Sequence, residues 1–261
     1  MNLLVVLRMV PDVVEELEIA PDGKSLNLEF ARMVLSESDD HALEQALLIK
    51  EREGGTVTVL ALEAPEVDDA LFAAMAKGAD RALKITGPKA GVTTREAAHI
   101  IAGVISSEPE LKGADLVLTG TQAINDLDGL MAPMLAQELG LPFLGIVTGL
   151  IPNSSARIAL ATKEYPRGVR GEFEVALPAM FGIQAAEKPP RYVPVVKVRN
   201  VMKSKKIDCV SLAETVEPGF SLLQVLEMTK PQATGHAEIL EGSADQTVEA
   251  LCTILAERGL L

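Results

Sequence analysis

Residues 115–133 read DLVLTGTQAINDLDGLMAP. Leu116-Val117-Leu118 is an apolar run, Thr119–Asp128 is a turn-rich stretch, and helical periodicity follows. A strand that turns into a helix leaves the first helical N–H groups without partners inside the helix. The aligned peptide dipoles also make that end favourable for an anion. This turn has neither the glycine spacing of a dinucleotide fingerprint nor the lysine of a P-loop. It carries Asn125, Asp126 and Asp128 instead.

The same order of elements recurs on both sides. Leu3–Leu7 is a continuous apolar strand, and Asp22-Gly23 marks a turn. Ser38-Asp39-Asp40 reads as a helix N-cap with acids in the first turn. Ala42, Leu43, Ala46, Leu47 and Ile49 carry the apolar stripe, and Gly54-Gly55 ends the helix. Val57–Leu62 is a second strand, and Pro65 opens a helix that ends at Lys77-Gly78. Ala82–Ile85 is a short strand, Thr93–Ile105 a helix, and Leu116–Thr119 the next strand. The helix after it places Leu127, Leu130, Met131, Met134, Leu135 and Leu139 on one face. Gly140 and Pro142 stop it, and Phe143–Thr148 is a further strand.

Strands alternating with helices through residues 1–150 predict right-handed crossovers and a mostly parallel sheet covered on both faces. This is a doubly wound, Rossmann-like α/β fold. Ligands in such sheets sit beyond the carboxyl ends of the strands. Three segments converge there: Val6–Arg8, Ser36–Asp39 and Gly120–Asp128.

The second half changes character. Arg157–Thr162 and Phe173–Leu177 read as antiparallel strands, and Ala179–Gln184 as another strand. Glu187–Tyr192, EKPPRY, is irregular because of its prolines. Residues 197–206, KVRNVMKSKK, concentrate positive charge, and residues 208–243 look extended and loop-rich. Gln246–Arg258 has the period of a final amphipathic helix with Val248, Leu251, Cys252 and Leu255 inward.

Composition excludes several functions. A formal charge of −13 over 261 residues repels nucleic-acid phosphates and anionic membranes. Aromatic content of 3% with no Trp removes base-stacking platforms. Cys209 and Cys252 stand far apart in no metal-like spacing, as in a reduced, cytosolic protein. The segment MNLLVVLRMVPD has no basic leader region and Arg8 interrupts its apolar stretch, so it reads as a buried first strand.

Catalytic candidates are few. His41, His99 and His236 have no partners evident in the sequence, no serine stands in a nucleophile elbow, and Asp68-Asp69 reads as a solvated helix face. Any chemistry is therefore expected to come from a bound cofactor or a partner chain. At Thr119–Asp128 two readings stand side by side. Backbone N–H groups there can grip a phosphate while Gln122, Asn125 and the acids meet ribose hydroxyls, or Asn125 and Asp126 merely cap the helix.

At this point the residues resemble a family. Gly120–Pro142, GTQAINDLDGLMAPMLAQELGLP, is similar to the G-x-Q-A-I-D segment of electron transfer flavoprotein beta subunits, through Gly120, Gln122, Ala123, Ile124, the Asn125/Asp126 pair and Pro133. Ala74–Arg81, AMAKGADR, resembles the family's A-x-A-x-G-A-D-R. Leu177-Pro178-Ala179 and Pro190-Arg191-Tyr192 resemble its L-P-A and P-R-Y elements, and Asn200–Lys206, NVMKSKK, its N/G-I-M-K-A-K-K.

The resemblance implies an α/β/α fold of the adenine-nucleotide-hydrolase-like kind with antiparallel additions and an extended C-terminal arm. It implies an electron-carrier subunit rather than an enzyme. The partner is an alpha subunit carrying the redox-active FAD at the interface, and this chain holds AMP or, in electron-bifurcating members, a second FAD. Carried over by position, the nucleotide contacts Val6, Ser36, Glu37, Ser38, Asp39 and Leu62. It also contacts Gly120, Gln122, Ala123, Ile124, Asn125, Asp126, Leu127, Asp128, Gly129, Leu130 and Met131. Residues 1–186 are then the nucleotide-binding core, and 187–206 a recognition loop and helix that dock onto acyl-CoA dehydrogenases or similar donors. Residues 207–261 are an arm whose terminal helix contacts the alpha subunit. A quinone oxidoreductase is the expected acceptor, reached from the cytoplasm through a membrane-associated complex.

The sequence also departs from the pattern. Leu127, Leu130 and Met131 stand where relatives often carry Thr or Gln. The apolar run Val193, Val195, Val196 lies in a longer loop, and Arg170–Phe173 replaces an acidic, glycine-rich stretch. Two other function classes compete. A stand-alone adenine-nucleotide sensor of universal-stress type would not need the tail from Lys203 onward, and a nucleotide hydrolase lacks a base or metal cluster.

Overall fold

The computed structural model describes residues 1–87, 92–126, 129–211, 225–231, 235, 237 and 239–260. In chain order, β1 (Asn2–Leu7) is followed by an excursion made of β2 (Met9–Pro11), β3 (Glu18–Ile19), β4 (Leu26–Asn27) and β5 (Met33–Leu35). Then come α1 (Glu37–Glu53), β6 (Thr56–Leu62), α2 (Val67–Lys77), β7 (Arg81–Thr86), α3 (Thr94–Ser107) and the short α4 (Pro109–Lys112). β8 (Leu116–Gly120), α5 (Met131–Leu139) and β9 (Phe143–Val147) complete the alternating part. The remainder is β10 (Gly149–Asn153), β11 (Ile158–Tyr165), β12 (Val169–Ala176), β13 (Ala179–Ile183), α6 (Val195–Ser204), β14 (Asp208–Ser211) and α7 (Ala244–Glu257).

Seven strands form one sheet in the order β14-β7-β6-β1-β8-β13-β9, and every neighbouring pair in it is parallel. β1 is central, so both of its faces are covered and its sequence is apolar throughout. Leu3, Val5 and Leu7 pack with α1 and α2 on one side, while Leu4 and Val6 pack with α3 and α5 on the other. The chain moves from β1 outward through β6 and β7, then returns to place β8 on the other side of β1. The carboxyl ends of β1 and β8 therefore flank the point where strand order reverses, the usual ligand position of an open α/β sheet.

β10, β11 and β12 form a separate antiparallel sheet, and β2–β5 and β3–β4 are small antiparallel pairs. The doubly wound fold with antiparallel additions is the architecture observed.

Local details differ from the sequence reading. α1 starts at Glu37 with Ser36 as its N-cap, not Ser38, because Ser38 turns toward the Gln122 carbonyl. α5 spans only Met131–Leu139. β13 inserts in parallel between β8 and β9, and β14 extends the main sheet beyond β7, within a stretch that reads as loop.

The chain divides into two compact units, Met1–Leu226 and Glu227–Leu261. The second holds α7, opened by a capping box of Ser243 and Gln246. None of its residues is buried, and Val248, Leu251 and Cys252 are exposed, which corrects the expected inward face. The helical period shows which side chains share a face, not whether anything covers them.

Candidate functional site

Arg8 is the first residue past β1, at the carboxyl edge of the sheet, and only 11% of its side chain is exposed. Burial of a guanidinium needs carboxylates with good geometry, and two are supplied from distant parts of the chain. Asp39, fully buried in the first turn of α1, accepts bonds from Arg8 Nε (2.9 Å), Arg8 Nη2 (3.0 Å) and the Arg8 backbone N–H (3.0 Å). The same carboxylate accepts from the Gly120 N–H (2.6 Å) and Thr119 Oγ1 (3.1 Å) at the end of β8.

Asp126, 5% exposed, accepts from Arg8 Nη1 (3.1 Å) and from Thr94 Oγ1 (3.1 Å) at the start of α3. Arg8 Nη2 also donates to the Gly120 carbonyl (3.0 Å). Burial alone would lower the Arg8 pKa. The Asp39 and Asp126 carboxylates outweigh it and raise the pKa above the ordinary arginine value, so the guanidinium stays charged.

The turn after β8 is tied to the same cluster. Ser38 Oγ donates to the Gln122 carbonyl, and Gln122 Nε2 donates to the Asp126 carbonyl (3.0 Å). Gly120 is the point of closest approach. A Cβ there would lie 2.2 Å from Ser38 Oγ, 2.6 Å from the Ser38 carbonyl carbon and 2.7 Å from the Asp39 nitrogen. The start of α1 thus packs directly on the end of β8.

These contacts bring Ser36, Ser38, Asp39, Gly120, Gln122 and Asp126 together at one edge. Val6 is buried in the core two residues before Arg8, and Leu62 ends the neighbouring β6. Ala123 and Met131 are buried, and Met131 packs into the core beside α3 rather than facing the edge. Glu37, Ile124 and Asn125 are exposed, while Gly129 and Leu130 are half-buried. Leu127 and Asp128 lie outside the described residues.

The capping alternative is not what the structure shows. α5 has Leu130 at its N-cap and no side-chain cap bond, and Asp126 points to Arg8 and Thr94 instead. α1 also has no side-chain cap bond. By contrast, α3 carries a complete capping box, Thr93 with Glu96. Among the described residues, neither helix that begins at the switch point has a side-chain cap bond at its N-cap. The N–H groups of Glu37, Ser38 and Asp39, and those of Met131 and Ala132, have no acceptor within their own helices. Pro133 has no N–H to add. Amide donors, the Ser38 hydroxyl and the Gln122 side chain suit one phosphate and a ribose, whereas Ser36, expected to take part, is buried. The carboxylates and the committed Arg8 do not suit a polyphosphate gripped by side chains.

Thr94 is the site residue that sequence reasoning missed, and the ion cluster that Arg8 makes with Asp39 and Asp126 was not foreseen. The one available signal was a lone basic residue closing an all-apolar strand at the ligand edge.

The other candidates are structural. His41 Nδ1 accepts the Ala186 N–H (3.2 Å), His99 lies 3.5 Å from Glu138, and Asp68 pairs with Lys84 (2.7 Å). His236 lies outside the described residues. Cys209 and Cys252 are exposed free cysteines. Among the described residues, no group of three or more His, Cys, Asp or Glu is placed to hold a metal ion, and no helix is long and apolar enough to cross a membrane.

Beyond β13, the segment at residues 187–194 has no helix or strand, and α6 follows with Val198 and Val201 partly buried beside α2. Tyr192 (84% exposed), Val195 (59%) and Val196 (68%) face outward.

Comparison with known proteins gives a consistent result. Residues 27–216 match the family described as electron transfer flavoprotein domain. The chain is 28% identical over 266 residues to the electron transfer flavoprotein subunit beta of Methylophilus methylotrophus, covering 98% of each. It is 27% identical to the subunit of the same name from Thermoanaerobacterium thermosaccharolyticum over 100% of both chains. With that of Clostridium acetobutylicum it shares 32% identity over 200 residues, 76% of this chain and 74% of the relative.

Proposed function

The chain belongs to the electron transfer flavoprotein family as a beta subunit, and from this premise we propose that it pairs with an FAD-carrying alpha subunit and holds an adenylate at the switch point between β1 and β8. The adenylate is AMP, or the AMP half of a second FAD. The flavin supplies the redox chemistry when bound. This chain's own residues position and bind.

One observation carries the nucleotide reading. Asp39 and Asp126 are turned onto Arg8, and among the described residues neither the N-cap of α1 nor that of α5 carries a side-chain cap bond. A phosphate there would accept from amides of Glu37–Asp39 and Met131–Ala132. Ser38 and Gln122 would meet the ribose, while Ser36, 3% exposed, lies beneath the surface. Arg8 would act indirectly, by fixing the turn.

The second part of the proposal concerns partners. Residues 187–206 dock onto an acyl-CoA dehydrogenase-like donor, with Tyr192, Val195 and Val196 as apolar anchors in a transient interface. Electrons then pass to a quinone oxidoreductase, with the carrier in the cytoplasm. With the family established, a stand-alone nucleotide sensor has no observation in its favour.

The test is co-expression with the alpha subunit of the same organism, acid release of bound cofactors, and chromatography. One FAD and one AMP per heterodimer are expected for simple transfer, and two FAD for bifurcation. A folded heterodimer with flavin and no adenylate in this subunit overturns the nucleotide reading. Absence of both flavin and partner overturns the whole proposal. Removing the nucleotide and restoring it at about 100 times its Kd should recover about 2.7 kcal/mol of stability, read as a reversible rise in Tm.

A further inference from the structure

Segment 185–191 is irregular in backbone yet held by one face of α1. His41 Nδ1 accepts the Ala186 N–H, and Gln45 Oε1 accepts the Glu187 N–H (3.0 Å). Gln45 Nε2 donates to Glu187 Oε1 (2.8 Å) and to the Leu150 carbonyl (3.1 Å). Arg52 donates through both terminal nitrogens to Glu187 (2.8 and 3.1 Å).

Four residues on, the Arg191 guanidinium grips Glu44 through Nε (2.9 Å) and Nη2 (2.8 Å) and reaches Glu51 through Nη1 (2.6 Å). The Arg191 backbone N–H also donates to Glu44 (3.0 Å). Glu44 is 3% exposed, so it is a buried carboxylate whose charge is met by this arginine. Side-chain bonds from Glu44 and Glu51 raise the Arg191 pKa well above the ordinary arginine range.

Two features make this more than a surface tether. Between the two grips lies Lys188-Pro189-Pro190, which has few backbone conformations open to it. Immediately after the second grip comes the exposed apolar stretch that starts at Tyr192. At this end the exposed side chains of Tyr192, Val195 and Val196 have little packing of their own, and the segment leaves α1 directly from the Arg191 grip. Its far end is held separately, where Lys205 Nζ donates to the Ala79 carbonyl (3.2 Å) at the end of α2.

We propose that Arg191, clamped by Glu44 and Glu51, is a positioning residue for partner docking: it fixes the direction in which Tyr192–Val196 leaves α1. The inference rests on the docking reading given above. A bidentate, planar grip sets an angle that a single ammonium cannot, so the role belongs to arginine and not to positive charge alone.

The test uses the heterodimer with its flavin. Removing Arg191 alone strands the buried Glu44 and can unfold the protein, so the decisive variant is the neutral pair Glu44→Gln with Arg191→Gln. Arg191→Lys serves as the partial replacement. Hydrogen exchange across residues 192–198 should quicken by about tenfold in the neutral pair, while exchange in the central strands stays as in the wild type.

With an acyl-CoA dehydrogenase reduced by its acyl-CoA as donor, the KM for the heterodimer should rise by about tenfold with kcat nearly unchanged. Arg191→Lys should fall between. Unchanged exchange across 192–198 overturns the positioning role. Faster exchange with an unchanged KM, or a wild type that this donor does not reduce, overturns the docking reading, and the exchange result still decides the role of Arg191.

Discussion

Arg8→Met should be among the most damaging single substitutions in the chain. It removes the guanidinium that Asp39 and Asp126 share and takes that counter-charge from two buried carboxylates. Breaking a buried ion pair by deleting one partner costs about 3–5 kcal/mol. Domains of this kind have roughly 5–15 kcal/mol in total. The expected result is a denaturation midpoint far below the wild type, with little heterodimer recovered.

Arg8→Lys should rescue only part of the loss. One ammonium cannot reach Asp39 twice, Asp126 and the Gly120 carbonyl together. Asp126→Asn should be milder than Arg8→Met, because it removes one of two counter-charges and leaves the Asp39–Arg8 pair intact. An Arg8→Met protein that unfolds at the wild-type midpoint would show that the cluster contributes nothing to holding the edge together.

Gly120→Ala should separate nucleotide retention from bulk stability. The added methyl meets backbone atoms of Ser38 and Asp39 at 2.6 and 2.7 Å, so the start of α1 must move off β8. Overpacking of this sort costs about 1–3 kcal/mol. The larger consequence falls on ligand geometry, since the same movement carries the amides of Glu37–Asp39 away from the turn. The heterodimer should fold with a lowered Tm and lose most of its co-purifying adenylate, measured by acid release. Gly103→Ala, in α3 with open space around the new methyl, is the matched control. It should retain full nucleotide and gain about 0.5–1 kcal/mol from the improved helix residue. Full adenylate content in Gly120→Ala would move the binding site elsewhere.

How much of this was legible beforehand depends on the range of the interaction. The apolar run of Leu3–Leu7, the stripe on α1 and the glycines after the helices are local signals, and they located the strands, the helices and the edge where the site lies. Arg8 was read as a break in an apolar stretch at the ligand edge, not as the centre of an ion cluster. Its meaning depends on Asp39, 31 residues away, and Asp126, 118 residues away, and no local pattern links them. Asp39 and Asp126 looked like helix caps for the same reason: the residue type fits a cap, and the competing partner is far off in sequence. The insertion of β13 between β8 and β9 was illegible too, because a parallel strand's neighbours are chosen by packing and not by its own residues. The grip of Glu44 on Arg191 is again long-range, the two residues standing 147 positions apart.

β1 precedes every other described strand in the chain, yet it sits in the middle of the sheet. During synthesis it must wait for β6 on one side and β8 on the other, and β8 emerges more than a hundred residues later. Until then the Arg8 guanidinium has at most one of its two counter-charges. A nascent chain halted before Leu116 therefore lacks both the second neighbour of β1 and the Asp126 half of the ion cluster. Holding factors that act on newly made chains should find β1 exposed until β8 has emerged.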